Sequence, residues 1–364
     1  MPSEKKLFKR IRLRKLCIRN YKAIDKLQIV FPLPRMAADP NILVIGSKNG
    51  VGKTSVLESI SVLMLSILTN NQFFNEINRQ GSDVDFIGLM IRSGQESAQI
   101  SGDFEYLPTE RSKGWETAHI SLEIFPGERG PYLKGAEELM SFLLSPSRTL
   151  IHCTFGMDYD PLEIPHLLYF HSYRKISEGN PDVRTIIGDN RHYSQRYRAS
   201  SKYRDFPVGL FKTELLKLMM GNSGLLEGFE KTFGEKSLTK INEIALTYAG
   251  ATFEKLRPTS ENAFEFRIKQ AESKQTYAFD GLSSGQKEII TTLFLLWHYT
   301  KNSPRIVLID EPELHLNAEW HKIFINSLYD LCPDNQYIIA THSQDVFASV
   351  DKKNRVLIAK ERKK

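Results

Sequence analysis

Two short runs carry the residue types that handle phosphate. ILVIGSKNGVGKT at 42–54 ends in Gly52, Lys53 and Thr54, and RIVLIDE at 305–311 ends in Asp310 and Glu311. A lysine and a hydroxyl after a glycine-rich turn suit a polyphosphate. Backbone N–H groups wrap it, the ammonium reaches its outer phosphates and the hydroxyl ligates Mg²⁺. The usual spacing is G-x-x-x-x-G-K-[ST]. Here Ser47 stands where the first glycine belongs, and Gly46 comes one residue early. A side chain at Ser47 requires an ordinary negative φ, with Gly46 supplying flexibility just before it. The phosphate-binding set read from this loop is Ser47, Asn49, Gly50, Gly52, Lys53, Thr54 and Ser55.

The acidic pair follows four apolar residues, Ile306 to Ile309, that read as a buried strand, and ligands bind beyond such strand ends in open α/β sheets. Asp310 is placed to hold Mg²⁺ through water, and Glu311 to orient or deprotonate an attacking water. In GLSSGQKEIITTLF at 281–294, Gly281, Ser283, Ser284 and Gly285 open an apolar helix. Their N–H groups make either an anion site or a plain N-cap. YIIATHS at 337–343 is a strand ending in Thr341 and His342; a lone histidine there reads as structural, but one crossover helix after the acidic strand its end can also lie beside the γ-phosphate.

The surrounding text supplies elements that can hold these residues. LRKLCIRNYKAIDKLQIVF at 13–31 reads as two paired strands, and ILVI at 42–45 as a strand feeding the glycine loop, with a helix from about Thr54. VDFIGLMI, SAQISGDFEYL and AHISLEIF, between 84 and 126, read as strands of an antiparallel layer, and HLLYFHSY at 166–173 as one more. Helical patterns occupy 208–220 and 236–256, strands FEFRI and TYAF follow, and from 286 helix and strand alternate as in a parallel sheet. The expected fold class is α/β, with a mixed or parallel core sheet, an antiparallel β-layer and a helical insertion. The expected division is 1–173, an insertion at 174–262, and 263–364.

Composition sets outer limits. With 41% hydrophobic and 25% charged residues, the chain is ordinary for a soluble globular protein. Its net charge of +6 is gathered partly at KKLFKRIRLRK (5–15) and KERKK (360–364), which read either as phosphate-attracting segments or as solvated tails. Cys17, Cys153 and Cys332 are too scattered for a disulfide framework or zinc site, which fits a reducing cytoplasm. ISVLMLSIL at 60–68 is too short to span a bilayer and reads as a buried helix, so no membrane association is expected.

The order SKNGVGKT, LSSGQ, IVLIDEPELHL and THS resembles the ABC-type ATPases, in particular the soluble SMC, RecF and OLD-like group. LCIRNYKAIDKLQIVF is similar to that group's first hairpin. The resemblance implies ATP and Mg²⁺ as ligands, with Lys53 and Thr54 on phosphate and metal and Asp310 completing the metal site. Glu311 becomes the catalytic base and His342 the switch histidine. Ser283 and Gly285 would touch the γ-phosphate bound by a second copy, which implies a homodimer or higher oligomer clamped by ATP. A glutamine loop is also implied, with Gln72, Gln95 and Gln99 all open.

Long coiled-coil arms of the SMC kind are excluded by the short insertion without heptads. A C-terminal nuclease domain of the OLD kind is not expected, because the chain ends soon after His342. The architecture resembles the short ATPase subunits of bacterial anti-phage systems of the Septu, PARIS or retron-linked type, whose nuclease or toxin is a separate protein. The competing expectation is a RecF-like ATPase that binds DNA or RNA directly. Its support is NRHYSQRYRASSKYR at 190–204, where Arg191, Arg196, Arg198, Lys202 and Arg204 alternate with tyrosines that can stack on bases. A solvated loop is the plainer reading of the same stretch.

Overall fold

Strand β1 (Phe8–Tyr21) turns back at Lys22 into β2 (Ile24–Val30), with Cys17 opposite Gln28. The expected hairpin therefore forms, and most of the basic run at 5–15 is strand. Ile11 and Leu13 alternate into the core, while Arg12 and Arg14 both reach Glu105, at 2.6 and 3.3 Å. The structure is a computed structural model. It describes residues 8–34, 39–47, 50–79, 85–108, 114–126, 131–135, 139, 154–155, 160–174, 179–181, 209–222, 231–259, 263–273, 275–314 and 316–359. KERKK, Asn49 and the whole of 190–204, with Arg191, Arg196, Arg198, Lys202 and Arg204, lie outside the described residues.

After β3 (Ile42–Ser47) come α1 (Lys53–Thr69), α2 (Gln72–Arg79) and α3 (Phe86–Met90). The last is a correction, because VDFIGLMI reads as a strand. Asp85 overrides that reading by capping a helical turn, its carboxylate accepting from the Gly88 N–H at 2.8 Å. Strands β4 (Ala98–Pro108), β5 (Glu116–Ile124) and β6 (Tyr132–Lys134) then complete an antiparallel sheet of order β2-β1-β4-β5-β6. The short pair β7 (Leu162–Ile164) and β8 (Leu167–Phe170) follows.

Helices α4 (Leu210–Asn222) and α5 (Lys231–Ala249) come next, then β9 (Ala251–Pro258), β10 (Phe264–Gln270), β11 (Thr276–Ala278) and α6 (Ser284–Thr300). The helix expected to run to 256 ends at Ala249. Gly250 adopts φ +61, its N–H bonds back to Leu246 at 3.0 Å, and the chain leaves as a strand. The final stretch holds β12 (Ile306–Asp310), α7 (Ala318–Leu331), β13 (Gln336–Thr341), α8 (Gln344–Ala348) and β14 (Arg355–Ile358).

The chain divides into two compact units. One comprises Met1–Ser172, Thr300–Leu314 and Ala318–Lys364; the other comprises Tyr173–Tyr299 and His315–Asn317. In the first, the core sheet has the order β14-β3-β13-β12-β8-β7, parallel except for β7. Helix α1 packs on strands of both this sheet and the antiparallel one, and nearly all of it is buried. A helix that is apolar all round must be an interior one. Hydroxyls farther along it are satisfied within the helix: Ser59 donates to Val56 O at 2.7 Å, Ser66 to Val62 O at 2.8 Å and Thr69 to Leu65 O at 2.7 Å. The buried Gln336 amide also joins the sheets, donating to Leu13 O at 2.8 Å and accepting from Leu13 N at 2.7 Å.

The second unit has the sheet β11-β10-β9 and an aromatic cluster around Phe211 of α4. That ring lies 5.3 Å from Phe279 and 5.7 Å from Phe294, centroid to centroid. The fully buried Lys212 makes an ion pair with Asp280 at 2.9 Å.

Candidate functional site

Three neighbouring parallel strands, β3, β13 and β12, carry the chemistry at their C-terminal ends. Register places Ile309 beside Ile339 and Ile339 beside Val44, so the ends come out together. Ser47 is the last residue of β3 and has no positive φ, as its side chain requires. Gly46 also has no positive φ, so flexibility is not its role. A Cβ on Gly46 would come within 2.7 Å of the Phe347 ring, and glycine is needed for that close approach. Left-handed backbone occurs later in the loop, at Gly50 (φ +74) and Gly52 (φ +98), and Gly52 then caps α1.

Lys53 begins α1 and returns toward the strand ends. Its ammonium donates to Ser47 Oγ at 3.2 Å and lies 2.6 Å from Nε2 and 3.2 Å from Nδ1 of His342. The same Nε2 is 2.8 Å from Glu311 Oε1. One ring nitrogen cannot donate to a carboxylate and accept from an ammonium at once. Nε2 therefore accepts from Lys53 or donates to Glu311 according to the tautomer of the ring. Desolvation pulls the Lys53 ammonium below the ordinary lysine range, opposed by the carboxylates of Glu311, Asp310 and Glu313.

Thr54 donates its hydroxyl to Asp310 Oδ2 at 2.8 Å, and Asp310 is fully buried. A hydroxyl beside a carboxylate is a hard-oxygen donor pair that suits Mg²⁺, which completes its shell with water and phosphate oxygens. Among the described residues no group of three His, Cys, Asp or Glu forms a metal site. Mg²⁺ held partly by phosphate needs no such group. The donor set therefore fits Mg²⁺.

Glu311 has φ +47, a left-handed backbone that costs a non-glycine residue roughly 1–2 kcal/mol. It is held there by its N–H to Ala340 O at 2.8 Å and by Leu314 N–H to its own carbonyl at 3.2 Å. That conformation sends the chain away from the sheet one residue after Asp310. Two adjacent acids consequently serve different partners, Asp310 facing Thr54 and Glu311 facing His342.

Two further residues belong to this site and have no distinct sequence signal. Glu313 accepts from the backbone N–H groups of His342 (2.5 Å) and Ser343 (2.9 Å) and from the Thr341 hydroxyl (2.8 Å). His321 Nε2 lies 3.3 Å from Glu313 O, and its Nδ1 lies 3.2 Å from Ser343 Oγ. The acidic spacing E-x-E at 311–313 was the only available hint to Glu313. Ser55 is a buried residue of α1. The glutamines Gln72, Gln95 and Gln99 fall at the start of α2, in a turn closed on Arg92 O, and on β4 facing Ser121.

Ser283 and Gly285 belong to the second unit. Ser283 Oγ accepts from the Gln286 N–H at 3.2 Å and the Gln286 side chain accepts from the Ser283 N–H at 3.1 Å, a reciprocal capping box at the start of α6. Ser283 and Ser284 are exposed and Gly285 is buried. The remaining N–H groups of this helix start can meet an anion.

Residues 222–347 match a family model described as AAA ATPase domain. Over 399 aligned positions the chain is 23% identical to a Vibrio cholerae protein described as Retron Vc95 probable ATPase, covering 94% of this chain and 72% of that one. It is 21% identical to Retron Ec83 probable ATPase of Escherichia coli, again over 94% of this chain. Among solved structures, an Smc head bound to the C-winged helix domain of ScpA aligns over 95% of this chain and 94% of that one. The identity is 16% and the TM-score 0.55, a likeness of fold. The chain is an ATPase with an ABC-type fold. The ATPase thus presents Lys53, Thr54, Asp310, Glu311 and His342 together in one unit and its LSSGQ loop in the other. No described helix of the ATPase is long and apolar enough to cross a membrane.

Proposed function

We propose that this ATPase uses ATP binding to bring copies of itself together and hydrolysis to release them, gating a separate effector protein in antiviral defence. The observation that carries the reading is the likeness to retron ATPases over 94% of the chain. The site geometry supports the chemical part. Ser47, Gly50, Gly52 and Lys53, with Asn49, receive the phosphates, and Thr54 and Asp310 hold Mg²⁺. The metal, when bound, supplies positive charge to the phosphoryl oxygens. Glu311 orients and deprotonates water, its carboxylate aimed by His342, and His342 reports the γ-phosphate. Exposed Ser283 and Ser284, ahead of buried Gly285, give α6 an accessible N-terminus for the phosphate bound by another copy. Residues 174–262 serve as an insertion between the two halves of the ATPase domain.

The test is the mass of the Glu311→Gln variant in solution with saturating ATP and Mg²⁺. The mass should at least double, and Ser283→Arg should abolish the increase; unchanged mass would refute the trans arrangement. Co-expression with the product of the neighbouring reading frame tests gating. A nuclease or toxin retained in stoichiometric amount and released on hydrolysis is the expected result.

A second reading, direct nucleic-acid binding, is favoured by the five basic residues interleaved with tyrosines at 191–204. Wild type and a variant neutralised at Arg191, Arg196, Arg198, Lys202 and Arg204 should then differ in DNA or RNA retention as salt rises. Equal retention would remove this role.

A further inference from the structure

The acid two residues after Glu311 does not face Asp310. It faces backbone donors at the end of the neighbouring strand. The parallel ladder pairs Asp310 with Ala340 and ends there on the β12 side, so the N–H groups of His342 and Ser343 lie beyond the last strand partner β12 offers. Glu313 Oε1 takes both N–H groups, at 2.5 and 2.9 Å, while Oε2 takes the Thr341 hydroxyl at 2.8 Å. The Thr341 hydroxyl in turn accepts from Ser343 N–H at 2.9 Å. A second tie runs through α7, where His321 bridges Glu313 O and Ser343 Oγ. A carboxylate accepting from several donors makes hydrogen bonds about twice as strong as neutral ones. The loop after Glu311 and the turn carrying His342 are therefore fastened to each other by a charged group.

We propose that Glu313 is a positioning residue for hydrolysis: it fixes the Thr341–Ser343 turn so that the His342 imidazole stays at hydrogen-bonding distance from Glu311. The proposal rests on the reading of Glu311 and His342 as the reacting pair. Glu313 itself touches neither the reacting atoms nor the metal pair Thr54 and Asp310. The charged groups facing His342 are Lys53 from α1 and Glu311 from the loop after β12, with Glu313 beneath its backbone. Spacing, more than charge, is what Glu313 supplies, because its oxygens are spent on the turn.

Two measurements on the full chain test this, and they fail independently. In steady-state hydrolysis, Glu313→Ala should lower kcat about 10- to 100-fold, the scale of supporting residues around reactive centres. The ATP concentration at half-saturation should change by less than about threefold. Glu313→Asp keeps the charge but is one methylene short, and should lose nearly as much; Glu313→Gln, which keeps one acceptor oxygen, should fall between. In a His342→Ala background the further loss from Glu313→Ala should vanish, because both act through one ring. Wild-type turnover in Glu313→Asp, or losses that multiply in the double variant, would overturn the proposal.

The second measurement is residue-resolved hydrogen exchange without nucleotide. Glu313→Ala and Glu313→Gln should release the His342 and Ser343 amides while β12 and β13 keep their protection. Unchanged protection at those two amides overturns the fastening whatever the kinetics show. If His342→Ala alone turned over at the wild-type rate, the reading of the reacting pair would be wrong, and exchange would still decide whether Glu313 holds the turn.

Discussion

The strand-end cluster around Lys53 and the LSSGQ loop satisfy their polar groups in opposite ways. In the cluster, groups from distant parts of the chain meet: Lys53 with His342, Thr54 with Asp310, and Glu313 with the turn at 341–343. At the loop, Ser283 and Gln286 satisfy each other three residues apart, and the side chains that could act are exposed. The cluster is charged and built by tertiary structure. The loop is neutral, built locally, and turned outward. A charged tertiary cluster is sensitive to any one member, because each removed partner leaves another buried and unmatched. A local cap costs little to lose in stability, so a large effect on turnover there would have to come from a partner surface.

That contrast can be broken or sharpened. The largest effect belongs to Glu311→Gln, which should cut phosphate release about a thousandfold while leaving fluorescent-ATP binding intact. Near-normal turnover would remove Glu311 as the base. Next, Phe211→Ala should destabilise the unit that carries LSSGQ by about 3–5 kcal/mol, read as a lowered denaturant midpoint in intrinsic fluorescence. The loss reflects the rings of Phe279 and Phe294 packed on it. Ser283→Ala should cost about 1 kcal/mol of stability through the lost cap. If the loop meets a phosphate on another copy, turnover per chain should also fall at low protein concentration and recover at high. A fall independent of concentration would argue against a second copy.

The smallest effect concerns acid. Burial pushes the Glu214 carboxyl upward, but His298 and Lys217 together hold it below the ordinary range. A carboxyl depressed in the folded state contributes stability above its unfolded pKa and loses it as pH falls through the folded value. Wild type should therefore lose stability relative to Glu214→Gln as pH drops below the carboxylate range. Parallel pH curves would show that the pair contributes nothing.

Much of the cluster was legible because its members sit where secondary structure changes. The glycine turn before Lys53, the apolar run before Asp310 and the apolar run before His342 each announce a strand end. What the sequence hid are side chains whose partners are backbone groups. Glu313 looks like a third acidic ligand, and only the register of β12 with β13 shows its oxygens facing N–H groups. The segment 84–91 has strand-like composition, yet with Asp85 as its cap Phe86–Met90 is a helix. Gly250 broke what reads as a continuous helical pattern, since a single left-handed residue weighs little in any average over a window. The LSSGQ loop read as either an anion site or an N-cap, and the reciprocal bonds of Ser283 and Gln286 are the cap.

Gly46 and Phe347 have a consequence for descent. The ring fills the space over the glycine, so the two positions form one steric unit although they stand at opposite ends of the chain. A lineage that restored the common glycine spacing by placing a side chain at 46 would have to shrink position 347 in the same step or pass through a weakened intermediate. Correlated change at these two positions, small with large and large with small, is the mark such ancestry would leave. The displaced glycine is thus a steric fit between the first strand of the core sheet and the last short helix.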